Sequence, residues 1–192
     1  MPDAQPKLLP NTYFHIWTHA NGDDKLFRKD ENYRHFLGRY RHYIHPVVKT
    51  FAYCLMPNHF HFLVQIRSPK TIEKRAENRG KNLFNAYTKA YNKLYDRKGS
   101  LFMSNFRRKP VSDDEYLAML VVYIHRNPVH HGFCDSAFDW KYSSIHSYSN
   151  KNTPKTSVAI SEGLKWFDDS KTHFNTLHNQ LQLNDIGREF EL

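Results

Sequence analysis

A chain of 192 residues and 22.9 kDa can form one domain with a substantial core and is too short for two domains of ordinary size. With 40% hydrophobic and 24% charged residues it is expected to be globular, which excludes an intrinsically disordered chain. No apolar run reaches the length that a bilayer-spanning helix needs, so no membrane partner is expected. Two cysteines, Cys54 and Cys134, without a CxxC pair predict a reducing compartment, and the cytoplasm is the expected location.

The net charge of +9 is unevenly distributed along the chain. From Ser161 onward there are six acidic and three basic residues, so the first 160 residues carry a net charge of +12. A basic body with a mildly acidic tail favours a polyanionic partner, most simply nucleic acid. Charge alone is equally compatible with non-specific binding, so the motifs must decide the function.

Hydrophobic periodicity and turn signals predict alternating strands and helices. In chain order, the patterns predict a strand over 12–18, a helix from Asp30 to Ile44, strands over 48–56 and 59–66, a helix over 69–95, a strand over 101–111 and a helix from Ser112 to Asn127. The short Pro57-Asn58 connection predicts an antiparallel hairpin of the second and third strands. Ser112 and Glu115 form a capping box, and Pro128 is expected to end the last helix.

The element order β, α, β, β, α, β, α is typical of an α+β protein. We therefore predict a ferredoxin-like sandwich, in which helices pack on a four-stranded antiparallel sheet, followed by a helical tail. Residues 1–150 are predicted to form this domain, and residues 151–192 a C-terminal linker and helical extension. Residues 150–160 are typical of a linker, and residues 161–185 are weakly amphipathic and expected to be helical.

His59-Phe60-His61 is the first group of residues that suits chemistry. Alternation along a strand places both imidazoles on one face and Phe60 on the other. Two imidazoles on one rigid element supply half of a divalent metal site. Chance is the alternative, because the chain has 13 histidines and an HxH pattern is common.

Tyr123 and Asn127 form the second group. Four residues apart on a helix, they share one face. A phenolate is a competent nucleophile towards phosphorus, and a carboxamide oxygen is a suitable hard metal ligand. The alternatives are that Tyr123 is one of 12 tyrosines in the core and that Asn127 only caps the helix before Pro128.

Together with their surroundings, these residues resemble a known family. The stretch YCLMPNHFHFLVQI, followed further along by YIHRNPVHHGF, is similar to the motifs of single-tyrosine HUH transposases, and among them of REP-associated tyrosine transposases. The opening FHIWTHANGDDKLF, the block GSLFMSNFRRKPVSDDEYLAMLVVYIHRNPV and the downstream WKYSSIHSY are similar in order and spacing. The resemblance covers roughly residues 12–148 and leaves the tail outside it.

The resemblance implies an enzyme that cuts and rejoins single-stranded, hairpin-forming (REP-like) DNA. It implies His59, His61 and Asn127 as ligands of Mg²⁺ or Mn²⁺, and Tyr123 as the nucleophile that forms a 5′-phosphotyrosine intermediate. Because that intermediate preserves the energy of the phosphodiester bond, no nucleotide cofactor is expected. Such a protein is a transposase or a host-domesticated relative, expected in the cytoplasm with the nucleoid.

Several basic side chains are candidate DNA contacts. They are Arg107, Arg108, Lys109, Lys81, Lys89 and Arg126. Strand alternation points Arg108 away from its two neighbours, so only part of that run is expected to reach DNA. For each of the six, an ordinary solvent-facing charge is the alternative.

The chain departs from the family at two places. Asn105 stands where relatives often carry arginine, and VHHGF follows Asn127-Pro128 where Arg-Ala is common. His130 and His131 are then either phosphate contacts or neutral surface residues. These departures bear on the DNA sequence preference rather than on the chemistry. His15, His19, His42 and His45 are expected to be core or surface residues.

Two other functions remain open from the sequence. A catalytically silent DNA-binding regulator derived from a transposase would have no need to keep both histidines, Tyr123 and Asn127. A small metallohydrolase that uses water would leave Tyr123 without a role. A monomer and a homodimer are both compatible with the sequence.

Overall fold

The structure is a computed structural model that describes residues 5–67, 72–103, 106–149 and 157–180. Its four strands are β1 (Tyr13–His19), β2 (Val48–Leu55), β3 (His59–Ile66) and β4 (Arg107–Val111). They form an antiparallel sheet in the order β2-β3-β1-β4. In the described ranges the helices are α1 (Asp30–Tyr43), α2 (Ile72–Leu94), α3 (Asp114–His130), α4 (Ile145–Ser149), α5 (Ile160–Gly163) and α6 (Lys171–Gln180), with 3-10 turns at Ala137–Asp139 and Leu164–Phe167. The predicted α+β class with a four-stranded antiparallel sheet is confirmed, as is the β2–β3 hairpin.

Strand alternation divides the core into two layers. On β3, Phe60 and Phe62 belong to the cluster that packs under α1 and α2. Leu63 belongs to the cluster under α3, and alternation puts His59 and His61 on that same face. The predicted histidines therefore face α3, which carries Tyr123 and Asn127. None of the helices in the described part of the chain is both long and apolar enough to cross a membrane.

The structure corrects both predicted ends of α3. Asp113, rather than Ser112, is the N-cap, because its carboxylate accepts a hydrogen bond from a backbone N–H of the first turn at 2.8 Å. The helix also continues beyond Pro128, where it was expected to stop. A proline removes only one N–H donor, and the N–H of His131 closes the last turn by donating to the carbonyl of Asn127 at 3.1 Å. Asn127 consequently lies inside the helix.

The fourth strand is shorter than predicted. Regular pairing with β1 is confined to Arg107–Val111, although the prediction began at Leu101. Phe102 forms an isolated bridge with Ala20 beyond the end of β1. Residues 104 and 105, which include the departure at Asn105, lie outside the described residues.

The tail from 157 to 180 packs on the same layer as α3. The single helix predicted over 161–185 is divided, because Asp168 and Asp169 adopt left-handed φ angles of 55° and 54° that end the 3-10 turn before α6 begins. Phe167 and Phe174 are fully buried against α3. Residues 150–156 and 181–185 lie outside the described residues, and the predicted division at residue 150 stays a prediction.

Burial of His178 on α6 predicts an acid-sensitive fold. Burial lowers the pKa of His178 to about 4, below the value of 6.5 expected in the unfolded chain. Between these values the unfolded chain binds one more proton, so stability is full above pH 6.5 and is lost as the pH falls. We expect the free energy of unfolding of the native chain to fall about 1.4 kcal/mol per pH unit more steeply than that of His178→Gln over this window. Urea unfolding at pH 7, 6 and 5 measures the difference, and parallel curves for the two proteins would contradict it.

Candidate active site

His59 and Asn127 meet where the start of β3 passes under α3. The Nε2 atom of His59 and the Oδ1 atom of Asn127 are 2.9 Å apart, and both residues are buried. Burial lowers the pKa of His59 to about 4, against a smaller opposing effect of the Asn127 contact. The imidazole is therefore neutral near pH 7, which is the state that binds metals.

The neutral ring of His59 faces two amide oxygens but carries only one proton. When Nδ1–H of His59 donates to Oδ1 of Asn58 at 2.9 Å, Nε2 presents a lone pair to Oδ1 of Asn127. The Nδ2 of Asn127 is buried and has no hydrogen-bond partner in the described part of the chain. Two lone pairs at this distance repel unless the amide turns over or a cation lies between them. Adjacent ligands of an octahedral ion with bonds of about 2.1 Å are about 3 Å apart, so the pair fits such an ion.

His61 is oriented by a histidine from the neighbouring strand. Nδ1 of His61 and Nε2 of His15 are 2.9 Å apart, and both side chains are buried. Burial, and then the charge of Lys109, lower the pKa of His15 to about 3, so this ring is neutral. When Nδ1–H of His61 donates to His15, Nε2 of His61 is left as a metal ligand, the arrangement usual for metal-binding histidines. Only the pairing of β1 with β3 brings His15 here, so sequence patterns did not single it out.

Tyr123 lies one helical turn before Asn127 and reaches the same two strands. Its ring makes edge contacts with His61, at a centroid distance of 5.6 Å, and with His15, at 6.2 Å. The side chain is 4% exposed. The structure thus brings together His59, His61, Tyr123 and Asn127. Within this group Tyr123 and Asn127 share one face of α3, as their i,i+4 spacing predicted.

Two exposed imidazoles flank His59 on its solvent side. The ring of His19 stacks on His59 at 4.8 Å, and the ring of His131 contacts it edge-on at the same centroid distance. Both are exposed, whereas His59 is 2% exposed. These two exposed rings therefore lie between His59 and solvent. His131 was considered from sequence as a phosphate contact, whereas His19 was not connected with the site.

A metal ion at this place would have to use the amide of Asn127. Within the described residues, no group of three or more His, Cys, Asp or Glu side chains is arranged to hold a metal. Two neutral imidazoles and one carboxamide oxygen form a mixed nitrogen and oxygen donor set that suits Mg²⁺ or Mn²⁺ with further ligands from water or phosphate.

Alternation on β4 separates the three basic residues of the predicted DNA-contact run. Arg107 is opposite Trp17 and Lys109 is opposite His15 in the pairing with β1, which puts both on the face of the candidate site. Arg107 is exposed, and Nζ of Lys109 donates to the hydroxyl of Tyr116 at 3.1 Å. Arg108 lies on the other face, as alternation predicted.

The remaining predicted DNA contacts lie away from the two histidines. Arg108 binds Glu77 of α2 at 2.8 Å. Lys81 and Lys89 are exposed on α2 and line a cleft of about 630 Å³ together with Phe84 and Met103. That cleft lies on the α2 side of the sheet, and it meets the end of β1 where the backbone N–H of Met103 donates to the carbonyl of His19 at 3.0 Å.

Arg126 is used within the fold. Its guanidinium donates to the backbone carbonyl of His178 near the end of α6. Burial lowers the pKa of Arg126, and its Nε is buried without a hydrogen-bond partner among the described residues. The structure therefore directs Arg126 towards the tail, and its predicted contact with DNA stays a prediction.

No protein-family model matches the chain. Over 113 residues it is 30% identical to a Haemophilus influenzae protein provisionally named a REP-associated tyrosine transposase, a match that covers 53% of this chain and 61% of that protein. The chain thus spans about three fifths of the length of the curated relative that it matches.

Solved structures also resemble this fold. A REP-associated tyrosine transposase bound to a REP hairpin superposes with a TM-score of 0.65 at 17% identity, covering 80% of this chain and 89% of that one. A bacterial tRNA(His) guanylyltransferase-like protein in complex with ATP gives a TM-score of 0.46 at 13% identity over 94% of this chain and 76% of that one, which is too weak to bear on function. In sequence and in fold, the chain is similar to REP-associated tyrosine transposases, and the resemblance that its motifs indicated is confirmed.

Proposed function

We propose that this chain is a member of the REP-associated tyrosine transposases and cuts and rejoins hairpin-forming single-stranded DNA through Tyr123. The observation that supports this best is the 2.9 Å contact of His59 with Asn127 beneath the helix that also carries Tyr123. A silent DNA-binding protein has no need of a buried amide beside His59 whose Nδ2 lacks a partner in the described part of the chain, since an unpaired buried polar group is destabilising.

The residues divide the chemistry between them. Nε2 of His59, Nε2 of His61 and Oδ1 of Asn127 would hold Mg²⁺ or Mn²⁺, which when bound neutralises charge on the scissile phosphate. Asn58 and His15 would accept from Nδ1–H of His59 and of His61, which leaves each Nε2 for the metal. The helix α3 holds the Tyr123 oxygen on the same side of the sheet.

The cutting step conserves the number of phosphate ester bonds. The Tyr123 oxygen loses its proton and forms a bond to phosphorus, the bond from phosphorus to the 3′ oxygen breaks, and the departing 3′ oxygen takes up a proton. The 3′ fragment of the DNA stays on the protein as a 5′-phosphotyrosine. A 3′-hydroxyl that attacks the same phosphorus joins strands and releases Tyr123, so no nucleotide cofactor is required.

Two basic side chains lie near the candidate site, on the face of the sheet that carries His59 and His61. Arg107 is exposed near His19, whose pKa is lowered by burial and then by the charge of Arg107. Lys109 lies beside His15. We propose that these two cations contact the phosphates next to the scissile one. The cleft lined by Lys81 and Lys89 would hold DNA that continues past the end of β1, its lysines binding phosphates.

The placement of the β4 side chains predicts different effects on DNA affinity. Arg107→Gln and Lys109→Gln should each weaken hairpin binding by about tenfold at 0.1 M salt and make the slope of log K against log[salt] shallower by about 0.7–0.9. Arg108→Gln removes the same charge from the opposite face and should leave the slope unchanged. Fluorescence anisotropy between 50 and 300 mM salt measures all three, and equal slope changes would contradict the assignment of faces.

A covalent-adduct assay tests the proposed activity. The chain is incubated with Mn²⁺, or with a chelator as control, and with a REP-like hairpin oligonucleotide that has unpaired flanking strands. One preparation of the DNA is labelled at the 3′ end and another at the 5′ end, and the products are separated under denaturing conditions. We expect the 3′ label to remain on the protein and the 5′ label to leave on a shorter free strand, in both cases only with Mn²⁺.

Each other outcome identifies an alternative. Cutting without an adduct indicates a metallohydrolase that uses water, and binding without cutting indicates a DNA-binding regulator. An adduct that carries the 5′ label would contradict the 5′-phosphotyrosine. A chain that neither binds nor cuts the DNA would contradict the proposed function as a whole.

A further inference from the structure

Three polar side chains form a buried chain of hydrogen bonds on the far side of α3. Oγ of Ser144 and Nε2 of His125 are 2.8 Å apart, and Nδ1 of His125 and Nε2 of His178 are 2.9 Å apart. Ser144 and His125 are fully buried, and His178 is 1% exposed. Polar groups buried this deeply destabilise a fold unless every one is hydrogen-bonded, so the chain has to be closed at both ends.

The carbonyl of Phe174 determines the direction of every bond. It accepts only, so the Nδ1 of His178, 2.7 Å away, must carry the proton. Both rings are neutral, because burial lowers the pKa of His178 to about 4 and His125 is completely buried, where a charged ring would be strongly destabilising. Nε2 of His178 therefore accepts from Nδ1–H of His125, and Nε2 of His125 accepts from the hydroxyl of Ser144. Both imidazoles are fixed as Nδ1–H tautomers.

The same chain of bonds is tied to the sheet. Oγ of Ser144 accepts from the backbone N–H of Tyr53 on β2 at 2.8 Å, and the N–H of Ser144 donates to the carbonyl of Tyr53 at 2.9 Å. The next residue of β2, Cys54, pairs with His61. The bonds thus connect the strand beside the two candidate metal ligands, then α3, then α6.

The position of His125 on α3 couples these bonds to the candidate site. His125 is two residues from both Tyr123 and Asn127, a rotation of about 200° around the helix, so it lies on the opposite side of α3. The following residue, Arg126, donates from its guanidinium to the carbonyl of His178. Two consecutive side chains of α3, about 100° apart around the helix, are therefore held by one residue of α6, which restricts rotation of α3 about its axis.

We infer that α6 is part of the catalytic apparatus and that His178 is a positioning residue. His178 sets the rotation of α3 about its axis. That rotation determines how Tyr123 and Asn127 are placed against His59 and His61. The inference rests on the proposed function for its catalytic consequence, whereas the geometry stands independently of it. Packing alone would be satisfied by an apolar ring at His178. The hydrogen bonds instead select one rotation, because any other leaves a buried donor or acceptor without a partner.

Two substitutions of His178 separate positioning from packing. His178→Phe keeps a ring but removes the acceptor for His125, whereas His178→Gln offers an oxygen near the position of Nε2. We expect His178→Phe to slow adduct formation at saturating hairpin DNA at least tenfold while the Kd for DNA changes less than twofold. We expect His178→Gln to restore the rate to within about threefold of the native chain. Tyr87→Phe is the matched control, because it removes a buried hydrogen bond to Leu26 in the other layer and should not change the rate.

A spectroscopic measurement keeps the inference testable if no adduct forms at all. In the native chain without DNA, ¹⁵N signals of the imidazoles should show Nδ1–H tautomers for His125 and His178, and the amides of 123–127 should exchange slowly. His178→Phe should change the His125 signal and speed exchange in α3 at least tenfold, whereas Tyr87→Phe should not. If His178→Phe does not fold, Ser144→Ala takes its place, because it removes the donor at the other end. Nε2–H tautomers in the native chain, or equal adduct rates for the Phe and Gln variants, would overturn the inference.

Discussion

Replacing Tyr123 by phenylalanine is expected to reduce the covalent protein–DNA adduct by at least about a thousandfold, to below detection. The substitution removes only the oxygen that would bond to phosphorus. The ring remains to pack against His61 and His15, so the fold should change in stability by no more than about 1–2 kcal/mol. DNA affinity should stay within about twofold, because the proposed phosphate contacts belong to Arg107 and Lys109. The adduct is measured with the 3′-labelled hairpin after denaturation.

Tyr116→Phe is the matched control for that substitution. Tyr116 lies on the same helix seven residues earlier, and its hydroxyl accepts from Lys109. Its removal should leave adduct formation within a few fold of the native chain. An adduct that survives Tyr123→Phe and is lost in Tyr116→Phe would assign the nucleophile to Tyr116, and survival in both would exclude these two tyrosines.

Replacing Asn127 by leucine is expected to weaken Mn²⁺ binding by about a hundredfold or more. Loss of a partner that only orients a metal ligand already weakens metal binding by about tenfold to a hundredfold, and Asn127 is proposed as a ligand itself. Leucine keeps a similar volume within α3 but offers His59 no oxygen at 2.9 Å. Asn127→Asp keeps an oxygen in the same place and adds a charge, so it should bind Mn²⁺ at least as tightly as the native chain. Titration calorimetry or the electron paramagnetic resonance of free Mn²⁺ measures these affinities without DNA.

Without metal, Asn127→Leu is expected to stabilise the fold or leave its stability unchanged, although the same substitution weakens Mn²⁺ binding. In the metal-free native chain the site holds a buried Nδ2 with no partner in the described part of the chain. Leucine removes that group, so the free energy of unfolding should rise or stay level while Mn²⁺ no longer raises it. Equal Mn²⁺ affinity of the leucine and aspartate variants would contradict the role of Asn127 as a ligand.

Most of the fold was predictable, because it follows from local patterns. The β3 strand has the predicted bounds, and helices were expected wherever apolar residues recur at steps of three and four. The errors lie at element ends. Proline in the last turn of α3 was tolerated because neighbouring backbone bonds close that turn, and the tail helix was divided by two aspartates in left-handed conformations. Such ends depend on which groups lie near by in space, information that periodicity does not contain.

The candidate site likewise has features that local patterns predict and features that depend on neighbours in space. Backbone periodicity alone places His59 and His61 on one face of a strand, and Tyr123 and Asn127 on one face of a helix. That these two faces meet depends on the packing of α3 on the sheet, because His59 and Asn127 are 68 positions apart in the chain. Strand pairing likewise brought His15 to His61. Packing of the tail on α3 directed Arg126 to the backbone of α6, because a partly buried guanidinium binds the carbonyl that is within reach.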